Sequence, residues 1–116
     1  MKILSPKIHG ILDYVVVALF LVAPKLLGLQ GTAALLSYVL AGVHFLVTVL
    51  TDFPLGLIKV IPLSIHGWIE LAVAPTLIAV PWVLGFAQIP TARWFYVADG
   101  AVIFLTWLVT DYRGQR

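Results

Sequence analysis

Four long apolar runs alternate with short polar joints along the chain. The runs lie at Ile8–Leu29, Thr32–Asp52, Pro62–Phe86 and Trp94–Tyr112. Each is close to the ~20 apolar residues with which a helix crosses the hydrocarbon core of a bilayer. The joints carry the glycine and proline of turns, and short joints between long helices place successive helices antiparallel. The pattern predicts an all-α membrane protein, a four-transmembrane-helix bundle in which residues 1–116 form a single domain.

The composition supports a membrane protein rather than a soluble one. Of the 116 residues, 62% are hydrophobic and 10% charged, and the mean hydropathy is +1.09, far from the balance of a soluble domain. The chain has no cysteine, which excludes disulfides, iron–sulfur clusters and thiolate metal sites. A metal ion would therefore have to be bound by histidine and carboxylate side chains.

The basic residues are unevenly divided between the two ends of this bundle. Five fall at the end that holds both termini and the central joint: Lys2, Lys7, Lys59, Arg113 and Arg116. The opposite end has Lys25 and Arg93. Because basic residues concentrate on the cytoplasmic side, we expect a multi-pass protein of a bacterial cytoplasmic (inner) membrane with both termini in the cytoplasm.

The first and third runs begin with related sequences, KIHGILDY at Lys7–Tyr14 and SIHGWIEL at Ser64–Leu71. The same shift of 57 residues, or one or two more, superposes further pairs: Pro24 on Pro81, Leu27-Gly28 on Leu84-Gly85, and Thr51-Asp52 on Thr110-Asp111. The chain therefore reads as two tandem helical-hairpin repeats, about 8–52 and 65–111. Because each repeat has two spans, both copies share one orientation, and we predict a pseudo-two-fold rotation of about 180° around the bundle axis.

The stretches LVAPKLLGL and IAVPWVLGF, each followed by a glycine-containing partner helix, resemble the small bacterial integral membrane proteins called SPW-repeat proteins. The second stretch, with Pro81-Trp82, is more similar to the family pattern than the first, where Lys25 follows Pro24. The resemblance spans both repeats and implies a repeated helix pair. It implies no activity.

Histidine and a carboxylate share one helical face twice, at His9 and Asp13 and at His66 and Glu70. Residues four apart lie one turn above the other, and this face should point inward because a carboxylate facing lipid is costly. The antiparallel order brings both pairs to the cytoplasmic end of the bundle. Two imidazoles and two carboxylates suit a divalent ion such as Zn²⁺, Fe²⁺ or Mn²⁺, so we predict one metal site shared by both repeats.

Residues next to these pairs extend the prediction. Gly10 and Gly67 follow the histidines and should let another helix come close. Asp52 and Asp111 end the second and fourth runs at the same end, and we interpret them as further ligands or as groups that orient the ligands.

Three alternatives to a metal site stay open at this point. The His–carboxylate pairs could be a structural lock between helix ends near the headgroups. His9 and His66 could be the axial ligands of a haem b, although carboxylates one turn away are unusual beside the macrocycle. A proton- or ion-conducting protein is the third alternative, since the second run carries a polar stripe from Ser37 through His44, about 12 Å deeper than Asp52, and Asp99 could continue such a path.

Catalysis has little support in the sequence. A membrane-embedded metal hydrolase would need an open coordination position and a nearby base, but the chain has no serine or cysteine nucleophile motif and no glycine-rich phosphate loop. We leave enzymatic activity uncertain and consider a non-enzyme the better interpretation. The expected partner is the lipid bilayer, a homo-oligomer is compatible with the sequence, and no nucleic-acid partner is expected.

Overall fold

The computed structural model describes residues 2–112, which form four helices. They are α1 (Pro6–Leu26), α2 (Gly31–Val49), α3 (Leu63–Val83) and α4 (Pro90–Val109). All four are long and apolar enough to cross a membrane, which confirms the predicted all-α bundle. With 19 to 21 residues each, the helices are about 30 Å long.

The helix boundaries differ from the predicted ones, because every helix ends three residues earlier than predicted. Gly28 and Gly85 adopt the left-handed backbone conformation, with φ of 67° and 82°, which terminates α1 and α3 at a position that favours glycine. α4 begins at Pro90 rather than at Trp94, since the fixed φ of proline suits the first turn of a helix. Asp52 and Asp111 consequently lie beyond the ends of α2 and α4.

α1 packs against α2, and α3 packs against α4, so each consecutive pair forms a hairpin. Pro24 has no N–H to donate to the Phe20 carbonyl oxygen one turn earlier. The Ser37 hydroxyl of α2 donates to that oxygen at 2.6 Å. The carbonyl group freed by the proline therefore becomes a tie between the two helices of the first hairpin.

Buried side chains join the two hairpins along the centre of the bundle. The core includes Phe20, Ala33, Leu77 and Tyr96, and the Tyr96 hydroxyl donates to the Ala33 carbonyl oxygen at 2.6 Å. The outward faces stay apolar and exposed over most of each helix. Such faces suit lipid, which needs no polar surface.

Two short parallel β-bridges close one end of the bundle. Leu4, before α1, pairs with Thr110, after α4, and Thr51, after α2, pairs with Ile61, before α3. Three of the basic residues used to predict the orientation lie at this end, namely Lys2, Lys7 and Lys59, whereas Lys25 and Arg93 lie in the helix turns at the other end. Arg113 and Arg116 lie outside the described residues.

Candidate metal centre

Four polar side chains converge at the end that the β-bridges close. We call His9, Asp13, His66 and Glu70 the His/carboxylate cluster. One nitrogen or oxygen atom from each residue lies within 4.8 Å of the others. The four residues are between 0% and 4% exposed, so the structure brings together the predicted set in the interior, where charged groups need a partner.

Each histidine is closer to the carboxylate of the other hairpin than to that on its own helix. His9 Nε2 lies 2.8 Å from Glu70 Oε1 but 3.3 Å from Asp13 Oδ1. His66 Nε2 lies 3.1 Å from Asp13 Oδ2 and 3.4 Å from Glu70 Oε1. The cluster is therefore built between α1 and α3 rather than within either helix.

A threonine fixes which ring nitrogen of each histidine faces the cluster. The Thr51 hydroxyl donates to the Val47 carbonyl oxygen at 2.6 Å, and its oxygen lies 2.7 Å from His66 Nδ1. Because the hydroxyl proton is already committed, Nδ1 must carry a proton and donate it to Thr51. Nε2 of the neutral imidazole then presents a lone pair to the cluster, which is the form that ligates metals.

The second hairpin supplies the same contact to the first histidine. His9 Nδ1 lies 2.7 Å from Thr110 Oγ1, and the Thr110 hydroxyl donates to the Thr106 carbonyl oxygen. Both imidazoles thus have the same tautomer, and both Nε2 atoms point at the carboxylates.

The Nε2 atoms lie near carboxylate oxygens without making normal hydrogen bonds to them. Among residues 2–112, neither His9 Nε2 nor His66 Nε2 has a partner with hydrogen-bond geometry, and the same is true of Asp13 Oδ2. Buried polar atoms in native proteins are nearly always satisfied. Either protons on the Nε2 atoms or a metal ion at their point of convergence would satisfy these atoms.

An aromatic ring covers each imidazole on the outer side. Phe53 lies beside His66, and Tyr112 beside His9, with ring centroids 5.9 Å and 5.6 Å apart. The glycines after the histidines make room for these rings: a Cβ on Gly10 would come within 2.7 Å of the Phe53 ring, and one on Gly67 within 3.0 Å of the Tyr112 ring. The expectation that another helix approaches these glycines was wrong, because the groups in contact are side chains that follow α2 and α4.

Tyr112 also contacts a member of the cluster directly. Its hydroxyl donates to Glu70 Oε1 at 3.0 Å. Burial and the nearby Glu70 carboxylate raise the pKa of Tyr112 above the ordinary value of a phenol. The hydroxyl therefore keeps its proton and remains a donor to Glu70.

His44 joins the cluster from α2. Its Nε2 lies 3.4 Å from Asp13 Oδ1 and, within residues 2–112, has no hydrogen-bond partner. The sequence predicted that His44 lies deeper in the bundle than the cluster. Asp13 itself lies two turns inside α1, so the side chains of His44 and Asp13 meet at the same depth along the bundle axis. Three imidazole nitrogens consequently surround the Asp13 carboxylate.

Asp99 lies away from this group. It lines a cavity of about 230 Å³ together with Leu19, Ala23 and Phe95, on the α1 side of α4 rather than beside His44. Its Oδ2 atom has no hydrogen-bond partner among residues 2–112. A proton path from His44 to Asp99 stays a prediction.

Asp52 and Asp111 follow the two threonines that contact the imidazoles. The Asp52 N–H donates to the Ile61 carbonyl oxygen and the Asp111 N–H to the Leu4 carbonyl oxygen, at 2.8 and 2.9 Å. These bonds hold the two segments in the β-bridges. The predicted role of their carboxylates as ligands or orienting groups stays a prediction, whereas the groups at the imidazole Nδ1 atoms are threonines.

A haem with His9 and His66 as its axial ligands stays a prediction. Axial imidazoles bind opposite faces of the macrocycle, so their nitrogens are about 4 Å apart, twice a metal–nitrogen bond of ~2.0 Å, with the porphyrin between the rings. His9 and His66 instead meet edge to face, with centroids 5.5 Å apart and planes at 80°. Glu70 Oε1 lies 2.8 Å from His9 Nε2 and 3.4 Å from His66 Nε2, so the Glu70 carboxylate would have to move away to make room for a macrocycle.

Sequence reasoning missed the contacts of Thr51, Thr110 and Tyr112. The signal for the threonines was present, because a Thr-Asp pair follows both α2 and α4, but aspartate is the more usual ligand and was chosen instead. The position of the first hairpin that corresponds to Tyr112 is Phe53, which has no hydroxyl group. Only the fold places its hydroxyl at Glu70.

A comparison with protein families identifies one to which the chain belongs. The family model of the SPW repeat domain matches residues 7–110, a range that includes both hairpins and the whole cluster. A search of the curated proteins and a search of the solved structures found no match.

Proposed function

Because the chain belongs to the SPW repeat family and each of its four helices could span a bilayer, we propose that it is a membrane protein that binds one divalent metal ion at the His/carboxylate cluster. The ion is of the Zn²⁺, Fe²⁺ or Mn²⁺ type, since imidazole and carboxylate ligands suit these metals. The chain has no cysteine, so softer thiolate coordination is not available.

The observation that carries this proposal is the convergence of both histidine Nε2 atoms on both carboxylates. Hydrogen bonds to Thr51 and Thr110 occupy the Nδ1 protons, so the lone pairs of Nε2 point inward. The nitrogen–oxygen separations of 2.8 to 3.4 Å are close to the ligand–ligand spacing of about 3.0–3.4 Å around an ion with bonds of ~2.1 Å. The side chains need little movement to coordinate an ion.

Charge balance also favours one divalent ion. Two carboxylates that are nearly fully buried repel each other and lose the solvation of water. One ion of charge +2 beside two neutral imidazoles makes the cluster neutral. A purely structural lock would instead need a second proton on each imidazole, and so two imidazolium groups in the interior beside the carboxylates at 2.8 to 3.4 Å.

The position of the site in the cell follows from the orientation. The cluster lies at the same end as Lys2, Lys7 and Lys59, which we assign to the cytoplasmic face of the bacterial inner membrane. We also propose that the two hairpins are repeats related by a pseudo-two-fold axis, because they supply equivalent histidines, carboxylates and threonines. Reporter tags fused to either terminus should read as cytoplasmic, and a periplasmic signal from both would overturn the orientation.

The test of metal binding measures the ion directly. Protein purified in detergent and exposed in turn to Zn²⁺, Fe²⁺ and Mn²⁺ should retain one ion per chain after desalting, by elemental analysis. X-ray absorption should show nitrogen and oxygen ligands at about 2.0–2.2 Å. Asp13→Asn should abolish retention, whereas Asp99→Asn, which removes a partly buried carboxylate outside the cluster, should not. A wild-type protein that retains none of the three ions would contradict the proposal.

A further inference from the structure

A small cavity lies directly beneath the His/carboxylate cluster inside the bundle. It measures about 50 Å³, and three polar side chains line it, those of His44, His66 and Glu70. The rest of its lining is apolar and includes Val73 and Leu77. Leu77 lies seven residues after Glu70 on α3, so the cavity extends about 10 Å from the cluster toward the middle of the bundle.

The chemistry of this cavity is polar at one end and apolar elsewhere. One water molecule needs about 10–15 Å³ of such space, so the cavity has room for a molecule of two or three heavy atoms. Water would find hydrogen-bonding groups only at the cluster end, since valine, leucine and phenylalanine side chains offer none. The cavity therefore suits a small molecule that uses one atom for binding and is otherwise apolar.

The polar end presents atoms that still lack partners. His66 Nε2 and His44 Nε2 are buried atoms without a hydrogen-bond partner among residues 2–112. His66 and Glu70 also belong to the cluster, so an ion held there lies at the wall of the cavity. Four protein ligands leave a coordination position free on Fe²⁺, which binds further ligands at open positions in sites of imidazole and carboxylate.

We propose that the open coordination position of the metal ion faces this cavity and takes a diatomic molecule, bound end-on through one atom. The inference rests on the proposed metal site. The apolar walls exclude charged or larger ligands, and His44, which approaches Asp13 from α2 at 3.4 Å, can hydrogen-bond to the bound molecule. The binding step forms one metal–ligand bond and needs no other reactant.

The test measures the binding of nitric oxide to the Fe²⁺-loaded protein. Under anaerobic conditions, addition of nitric oxide should produce the electron paramagnetic resonance signal of a high-spin ferrous nitrosyl. Val73→Phe places a ring in the cavity and should weaken nitric oxide binding at least tenfold while the iron content stays at one per chain. Val80→Phe is the matched control, because Val80 is a partly buried valine two turns further along α3 that packs on the core, and it should bind nitric oxide like the wild type.

The outcomes separate the two proposals. If the wild type retains no ion of the three tested, the metal site itself fails. If iron is bound but nitric oxide produces no signal, or if Val73→Phe binds nitric oxide as tightly as Val80→Phe, the metal site stands and the cavity inference is wrong. Val47→Phe fills the same cavity from α2 and replaces Val73→Phe if that variant does not fold.

Discussion

The two hairpins make the same contacts to the imidazoles and different contacts to the carboxylates. Each histidine has a threonine at Nδ1 and an aromatic ring beside it, and both groups come from the end of the other hairpin. By contrast, Asp13 faces His44, whereas Glu70 accepts a hydrogen bond from Tyr112. The shared contacts orient the two imidazoles, and the differences lie at the two carboxylates.

The hairpins also differ away from the cluster, at a pair of matching glycines. A Cβ on Gly100 of α4 would come within 2.6 Å of the Ala74 carbonyl oxygen, but one on Gly42 of α2 would meet nothing within 4 Å. The sequence writes glycine at both places, yet only the second hairpin uses it for close helix packing. A repeated residue therefore does not imply a repeated contact.

The strongest test of the shared contacts removes the histidines. Because both Nε2 atoms face the same two carboxylates, His9→Ala and His66→Ala should each abolish metal retention, and the double variant should do no more. Elemental analysis of the purified proteins measures this. His44→Ala, which changes the one histidine without a counterpart in the other hairpin, should retain the ion. If one of the two single variants still binds metal normally, the hairpins do not contribute equally.

The next test concerns the threonines at Nδ1. Thr51→Val and Thr110→Val keep the shape of the side chain but remove the oxygen that accepts from the imidazole. Loss of such an orienting partner typically weakens metal binding about 10–100-fold, and we expect similar losses from the two variants. Competition with a chelator measures the affinity. Thr76→Val is the control, because the Thr76 hydroxyl bonds to Ala72 on an exposed face.

The matching glycines should give opposite results. Gly100→Ala forces a methyl group against the α3 backbone and should lower the free energy of unfolding by about 1–3 kcal/mol. Gly42→Ala occupies open space and should leave stability unchanged or raise it by up to about 1 kcal/mol, since alanine is the better helix former. Unfolding in mixed detergent micelles compares the two. Equal destabilisation by both variants would mean that α2 is packed as closely as α4.

The smallest expected effect is that of Tyr112→Phe, which makes the second hairpin resemble the first at this position. Loss of one hydrogen bond costs about 0.5–1.5 kcal/mol, so metal affinity should fall at most about tenfold. The hydrogen bond exists while the Tyr112 phenol is protonated. Because the pKa of this phenol is raised, the bond persists from acidic to mildly alkaline pH and is lost only as the pH rises through that raised value. Tyr38→Phe, on an exposed side chain, should change nothing. A loss of affinity that appears only at high pH would contradict this assignment.

Much of the fold was predictable because lipid imposes simple rules on sequence. A helix must be about 20 apolar residues long to span a bilayer, and four such runs separated by turn residues leave few arrangements. The errors lay at the helix ends, where the pattern of apolar residues continued past the glycines that terminate α1 and α3. At those positions the left-handed backbone conformation, rather than hydropathy, decides where the helix stops.

The site was partly predictable for a related reason. His9, Asp13, His66 and Glu70 could be named from spacing alone, because residues four apart on a helix share a face and a charged face in lipid must turn inward. His44, Thr51, Thr110 and Tyr112 could not be assigned in this way. Their contacts join residues between 15 and 101 positions apart in most cases, and periodicity within one helix carries no information on such pairs.

The sequence by itself determined that the helices suit lipid, how many helices there are and which faces had to be buried, because these properties depend on local composition and on the helical period. The tertiary structure decided which carboxylate faces which histidine, which ring nitrogen carries the proton, and which glycine contacts a neighbour. Those choices depend on how two hairpins pack against each other and on atomic distances of a few ångströms at the cluster. The sequence supplies two similar His–carboxylate stretches, and only the packing of α1 against α3 brings them into one cluster.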